Sequence, residues 1–240
     1  SAAAQLAQVL DSVVQDVEAI SDFKNNGIPG MGWYIHRLIV AHKQRVIFYA
    51  TDFTNLAPLL QCADNGTITH VLVGLFHLGY DDEVHKTGPY IHLNNLIPND
   101  PSYHSLWSTV QTLQSKGIQV LGSLGGGGVG DYGNLFATEQ SYNTFYGKLR
   151  DTLRLYNLDG LDLDIEESTA NVNTDKISNL IDDLRKDFQS RDRGFTIASA
   201  PVAAALIRQD WSVSPLVNYR QLMIHFDFYI LQFYNGFGNL

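Results

Sequence analysis

The sequence predicts an α/β fold: a parallel sheet with helices packed outside it. Three observations carry this. Short apolar runs recur at 45–50, 70–76, 118–124, 160–166, 195–200 and 228–234. Longer segments of helical period separate several of them, at 102–115, 140–156 and 175–190. Strand–helix alternation with buried strands is the pattern of a parallel sheet. The fourth run ends in acids at every second position, which places a chemical site at the end of a strand.

Residues 1–25 form a predicted amphipathic helix. Leu6, Val9, Leu10, Val13, Val14, Val17 and Ile20 fall on one face at the i, i+3, i+4, i+7 spacing. Gly27, Pro29, Gly30 and Gly32 end it. Residues 1–44 are therefore read as a helical extension and 45–240 as the barrel domain. The parallel sheet admits two closures, a doubly wound open sheet or a (β/α)8 barrel. Barrels place their sites at the C-terminal ends of strands, and Glu166 sits at such an end.

The chain has 240 residues, 45% hydrophobic and 17% charged. That fits one domain with a sizeable core. The net charge of -9 argues against nucleic acid or an anionic membrane as partner. No apolar run is long enough to span a bilayer. The single cysteine, Cys62, excludes an internal disulfide framework. Asn65-Gly66-Thr67 is a glycosylation sequon, meaningful only on the secretory route. The eight histidines show no metal-binding spacing, so no metal or other cofactor is expected.

The acid-bearing run is Asp159-Gly160-Leu161-Asp162-Leu163-Asp164-Ile165-Glu166. A strand sends alternate side chains to opposite faces. Asp162, Asp164 and Glu166 therefore project together, while Leu161, Leu163 and Ile165 pack the other way. Glu167 points with the apolar set. Crowded carboxyls raise at least one pKa, which keeps a carboxyl protonated near neutral pH for use as a general acid. A metal-binding or solvated acidic strand is the bland alternative. An EF-hand is not, since that loop needs a glycine at its sixth position.

This octapeptide resembles the DGxDxDxE signature of glycoside hydrolase family 18. Ser123-Leu124-Gly125-Gly126 resembles the family's SxGG motif, Ala200-Pro201 its xAP segment, and Gln232-Phe233-Tyr234-Asn235 its QFYN-like segment. The glycine run also fits G-x-G-x-x-G through Gly125, Gly127 and Gly130. A dinucleotide site would further need an acid ending a second strand about 20 residues on, and the region near 150 has helical period instead.

The resemblance selects the (β/α)8 TIM-barrel type. Six βα strands are countable before Leu240, so the last two βα units are expected to be missing from these 240 residues. The family's eighth strand usually supplies a tryptophan beneath the sugar, and Trp33, Trp107 and Trp211 all precede strand six. The resemblance implies substrate-assisted retaining hydrolysis of GlcNAc-β-1,4-GlcNAc, with catalytic roles for Glu166, Asp164, Asp162 and Tyr234. Glu166 would be the acid, Asp164 the orienter of the acetamide, and Tyr234 the holder of its carbonyl. Gln232, Asn235, Ser123, Gly125, Gly126 and Tyr49 are the expected substrate contacts, although a core role suits Tyr49 equally. His77 closes strand two and is left out of the catalytic set.

Further stretches resemble the secreted fungal endo-β-N-acetylglucosaminidases of the family. They include Phe76-His77-Leu78, Ile91-His92-Leu93-Asn94, Pro98-Asn99-Asp100-Pro101 and Ser105-Leu106-Trp107. The resemblance implies an extracellular enzyme acting on the chitobiose core of N-glycans. Chitin is the alternative substrate, and a sugar-binding relative without catalysis is the alternative class.

Overall fold

The computed structural model describes residues 45–127, 130–208 and 212–232. The predicted N-terminal helix, Tyr234 and Asn235 lie outside the described residues. Within them the order is β1 (Ile47–Ala50), α1 (Ala57–Asp64), β2 (His70–Asp82), β3 (Thr87–Leu93), α2 (His104–Ser115), β4 (Gln119–Gly125), α3 (Asp131–Leu135), α4 (Glu139–Leu155), β5 (Gly160–Asp164), α5 (Thr174–Phe188), β6 (Thr196–Ser199), α6 (Tyr219–Leu222) and β7 (Phe228–Tyr229).

The sheet order is β1-β2-β4-β5-β6-β7, with every neighbouring pair on that path parallel. Strands follow one another in chain order without reversal. A doubly wound sheet would reverse at a switch point, so this is the wall of a (β/α)8-type barrel, curled as a half-barrel. Its two faces have different cores. Val71, Val73, Leu124, Leu161, Leu163 and Ile197 face the helices in the large outer cluster. Leu72, Leu121 and Ala198 form a small inner cluster, with Ile47, Tyr49, Phe228 and Ile230 packed on it. That inner cluster fills the barrel interior, as alternation along the strands requires.

Helix starts are fixed locally. The Thr138 hydroxyl accepts from the Ser141 N–H, and the Ser141 hydroxyl accepts from the Thr138 N–H, capping α4. The Asn173 side chain caps α5 through the Lys176 N–H. At the N-terminal end of the barrel Asp159 is 1% exposed. Its carboxylate accepts from Val120 N–H at 2.9 Å, Gln114 Nε2 at 3.1 Å and Arg193 Nε at 2.9 Å, with Arg191 Nη2 at 3.4 Å. It thereby ties β4, α2 and the loop before β6 to the base of β5.

The structure departs from the sequence reading in three places. β2 does not end at residue 76 but continues to Asp82 and folds back as β3, an antiparallel partner that the sequence did not reveal. β5 ends at Asp164 rather than Glu166, and its last ladder bond is the Asp164 carbonyl accepting the Gly126 N–H at 2.9 Å. β7 stops at Tyr229, and one isolated bridge between Val202 and Gln232 continues the pairing beyond it.

Candidate active site

The carboxyl ladder stands at the C-terminal end of β5. Leu161, Leu163 and Ile165 are buried in the outer core, which turns the acids inward as period two requires. Asp162 is deepest and fully buried. Its Oδ2 accepts from the Ser123 hydroxyl at 2.8 Å and the Tyr49 hydroxyl at 3.2 Å. Its Oδ1 is buried with no partner among the described residues. Burial pushes the Asp162 carboxyl up to about 6, against the pull of those two hydroxyls.

Asp164 lies one step higher. Burial raises its carboxyl to about 8, reinforced by the charges of Asp162 and Glu166 and by a hydrogen bond with Glu166. Gln232 opposes the rise. Its Nε2 lies 3.0 Å from Asp164 Oδ1, 3.0 Å from Glu166 Oε1 and 2.8 Å from the Ala200 carbonyl. The Ala200 carbonyl can only accept, so it fixes which end of the amide faces the acids. Gln232 is 4% exposed and its Oε1 has no partner among the described residues. Glu166 is the half-buried member of the ladder, the one open to an incoming ligand.

The glycines serve close approach. Gly125 has φ +101°, and a Cβ there would lie 2.3 Å from the Asp164 carbonyl oxygen. Gly126 has φ +89°, and a Cβ there would press to 2.7 Å from Leu75. Only glycine lets β4 leave the sheet across Asp164. Glu167 turns to the outer side, as its parity predicts. Its carboxylate accepts from the N–H groups of Tyr132 at 2.8 Å and Gly133 at 2.7 Å, holding the start of α3. Burial raises its pKa and those bonds oppose the rise.

A cavity of about 370 Å³ opens over this cluster, lined by Tyr49, Thr51, Leu75, Asp164, Ala200, Ile230, Leu231 and Gln232. The structure thus brings Asp162, Asp164, Glu166, Gln232, Tyr49, Ser123, Gly125 and Gly126 into one place. Ser123 is completely buried, and its hydroxyl is engaged by Asp162. Leu75 was not singled out in the sequence, where it is one apolar residue in an apolar run. Among the described residues no group of side chains is arranged to hold a metal ion.

A barrel-type sheet carrying hydrogen-bonded carboxyls beside a cavity at its C-terminal rim is the architecture of a barrel glycosidase. The family profile "Glycosyl hydrolases family 18" matches residues 45–240, and the chain belongs to that family. Among solved structures it is similar to a chitinase, ChiC, from Aspergillus fumigatus, at 35% identity and a TM-score of 0.67, over 81% of this chain and 68% of that one. It is also similar to a fungal endo-beta-N-acetylglucosaminidase of family 18, at 29% identity and a TM-score of 0.65, over the same shares. A chitinase from Pseudoalteromonas aurantia shares the fold at 20% identity and a TM-score of 0.54, over 80% of this chain and 68% of that one. No curated protein sequence matches the chain.

Proposed function

We propose that this chain cleaves GlcNAc-β-1,4-GlcNAc bonds by substrate-assisted retaining catalysis, with the chitobiose core of N-glycans as substrate. The observation that carries the reading is Gln232 Nε2 placed 3.0 Å from both Asp164 and Glu166, beside an Asp164 raised to about 8. That arrangement holds a proton at neutral pH within reach of the half-buried Glu166 carboxyl. A two-carboxylate mechanism also needs a protonated acid; what the substrate-assisted exception adds is a neighbouring carboxyl that orients the acetamide, the role proposed for Asp164.

The proton in the Asp164–Glu166 hydrogen bond moves to Glu166 and then to the glycosidic oxygen as the C1–O bond breaks. The acetamido carbonyl oxygen of the same sugar closes on C1, giving an oxazolinium. Asp164, now a carboxylate, accepts the acetamide N–H and stabilises the positive charge. Asp162 beneath it supplies the unpartnered Oδ1, a nearby acceptor for a proton of the cluster. Water then attacks C1, its proton returns to Glu166, and the oxazolinium opens to a product of retained configuration with its acetamide N–H restored. Tyr234 is proposed to hold the acetamide carbonyl.

Chitin is the second reading, favoured by the 35% identity to the Aspergillus chitinase. The test is parallel digestion of a high-mannose glycopeptide and a chitin oligosaccharide by the chain and by Glu166→Gln. Loss of a general acid lowers turnover by about 10²–10⁴-fold. Glycan release that Glu166→Gln abolishes supports the first reading, and cleavage of chitin alone supports the second. Turnover of neither substrate would overturn the enzymatic reading.

A further inference from the structure

β5 ends at Asp164, so Glu166 stands beyond its own strand. In a parallel ladder one residue of the neighbouring strand serves two peptide groups. It donates to the carbonyl before its partner and accepts the N–H after it. β6 plays this part for β5, with Asp162 opposite Ala198 and Leu163 opposite Ser199. The Ala200 N–H still donates to the Leu163 carbonyl at 3.3 Å. The next position in that register, opposite Glu166, is Val202, but Val202 bridges to Gln232 instead. The peptide groups on either side of Glu166 thereby lose their strand partner, and Ser214 replaces it. Its hydroxyl accepts the Glu167 N–H at 2.9 Å and donates to the Ile165 carbonyl at 3.0 Å. A hydroxyl has one donor and two acceptor sites, so a single Oγ supplies both halves of the missing pair.

Two peptide planes meet at the Glu166 Cα. Holding both fixes its φ and ψ, and with them the direction in which its side chain leaves the backbone. The bridge is itself held. Ser214 is completely buried, and its N–H donates to the Ser212 hydroxyl at 3.0 Å. Thr174, at the start of α5, ties down the chain that follows. Its N–H donates to the Leu216 carbonyl at 3.1 Å, and its hydroxyl accepts the Asn218 N–H at 2.8 Å. The buried Tyr219 adds a longer bond from its hydroxyl to the Ile165 carbonyl, at 3.3 Å. At the far end of the acid, Gln232 Nε2 lies 3.0 Å from Glu166 Oε1. Gln232 thus orients the carboxyl, and Ser214 sets the backbone from which it reaches out.

We infer that Ser214 is a positioning residue for Glu166, holding the acid where it meets the glycosidic oxygen. The inference rests on the proposed GlcNAc-β-1,4-GlcNAc hydrolysis. Ser214→Ala deletes the bridge. Tyr219→Phe deletes only the longer bond to Ile165 and keeps the ring. Ser199→Ala is the control, since that hydroxyl is as deeply buried and donates to the Leu163 carbonyl at 2.7 Å, short of Glu166. Each variant is checked for folding by its thermal midpoint, then assayed for kcat and KM on the high-mannose glycopeptide and the chitin oligosaccharide. Ser214→Ala should lower kcat about 10- to 100-fold, the scale of a reacting group misplaced by about 1 Å, with KM unchanged. Tyr219→Phe should lower kcat less, and Ser199→Ala should keep it. An equal fall for both serine variants, or a folded Ser214→Ala with the parental kcat, overturns the inference. Where Ser214→Ala does not fold, Tyr219→Phe against Ser199→Ala makes the same comparison. Where the parent turns over neither substrate, the hydrolysis reading falls, and carboxyl-carbon NMR decides the positioning alone. Glu166 helps to hold the Asp164 carboxyl up at about 8, so a displaced Glu166 lowers the Asp164 titration in Ser214→Ala and not in Ser199→Ala. An unmoved Asp164 titration in Ser214→Ala then overturns the inference.

Discussion

Asp164 should hold the folded state back at alkaline pH, and Asp164→Asn should relieve it. The folded chain keeps this carboxyl protonated to about pH 8, against an ordinary value of 3.8, chiefly because burial disfavours its charge. As pH rises past the ordinary value, the unfolded chain releases this proton first. Stability then falls with rising pH and levels off only above the folded pKa. A gap of this size is worth at most about 6 kcal/mol, at about 1.4 kcal/mol per pH unit. Asp162 and Glu166 share the cluster's protons, so removal of one charge should recover about half, ~3 kcal/mol. Asparagine keeps the shape and an oxygen for Gln232 Nε2. Urea unfolding from pH 4 to pH 9, with unchanged m-values, reads the effect. The variant should match the parent near pH 4, exceed it by ~3 kcal/mol at pH 8.5, and lose cleavage. Parallel stability curves at all pH values would refute the argument that Asp164 is buried against its ionisation.

Three other perturbations probe the supports of the ladder. Asp159→Ala removes a buried carboxylate from two guanidinium groups and a backbone N–H, and should cost about 3–5 kcal/mol, read as a lowered urea midpoint. Gly125→Ala combines φ +101° with a 2.3 Å approach to the Asp164 carbonyl, so folded yield or thermal midpoint should fall, whereas Gly147→Ala, with open space around it, should be tolerated. Gln232→Met removes the donor that pulls Asp164 down. It should move the cluster's upper titration to higher pH by about one unit, visible in carboxyl carbon NMR.

The ladder was legible because alternation is a local rule: period two alone places Asp162, Asp164 and Glu166 together and Glu167 apart. The helices α2, α4 and α5 and the parallel strands were legible from local period as well, whereas the short helices α1, α3 and α6 were not. The β2–β3 ribbon was not. Residues 77–82 mix His77, Gly79 and two acids with Leu78 and Tyr80. Only one face of the ribbon is buried, and its partner is supplied by the chain 5 to 17 residues on. The role of Asp159 was equally hidden, since Gln114, Arg191 and Arg193 lie 32 to 45 residues from it in sequence.

The acids of the octapeptide therefore divide by depth along one strand. Asp159, at the base, is matched by guanidinium groups and a backbone donor, so its charge is neutralised and it binds elements together. Among the described residues Asp162 and Asp164 meet no guanidinium: Ser123 and Tyr49 donate to Asp162, and Gln232 donates to Asp164, in a buried setting. Neutral donors stabilise a carboxylate less than a guanidinium does, so burial prevails and both pKa values rise. Placing an arginine beside Asp164 would bring its pKa down, but it would also remove the proton that the proposed mechanism passes to Glu166. The same strand thus holds charge at one end and protons at the other, and the difference lies in the partners rather than in the acids.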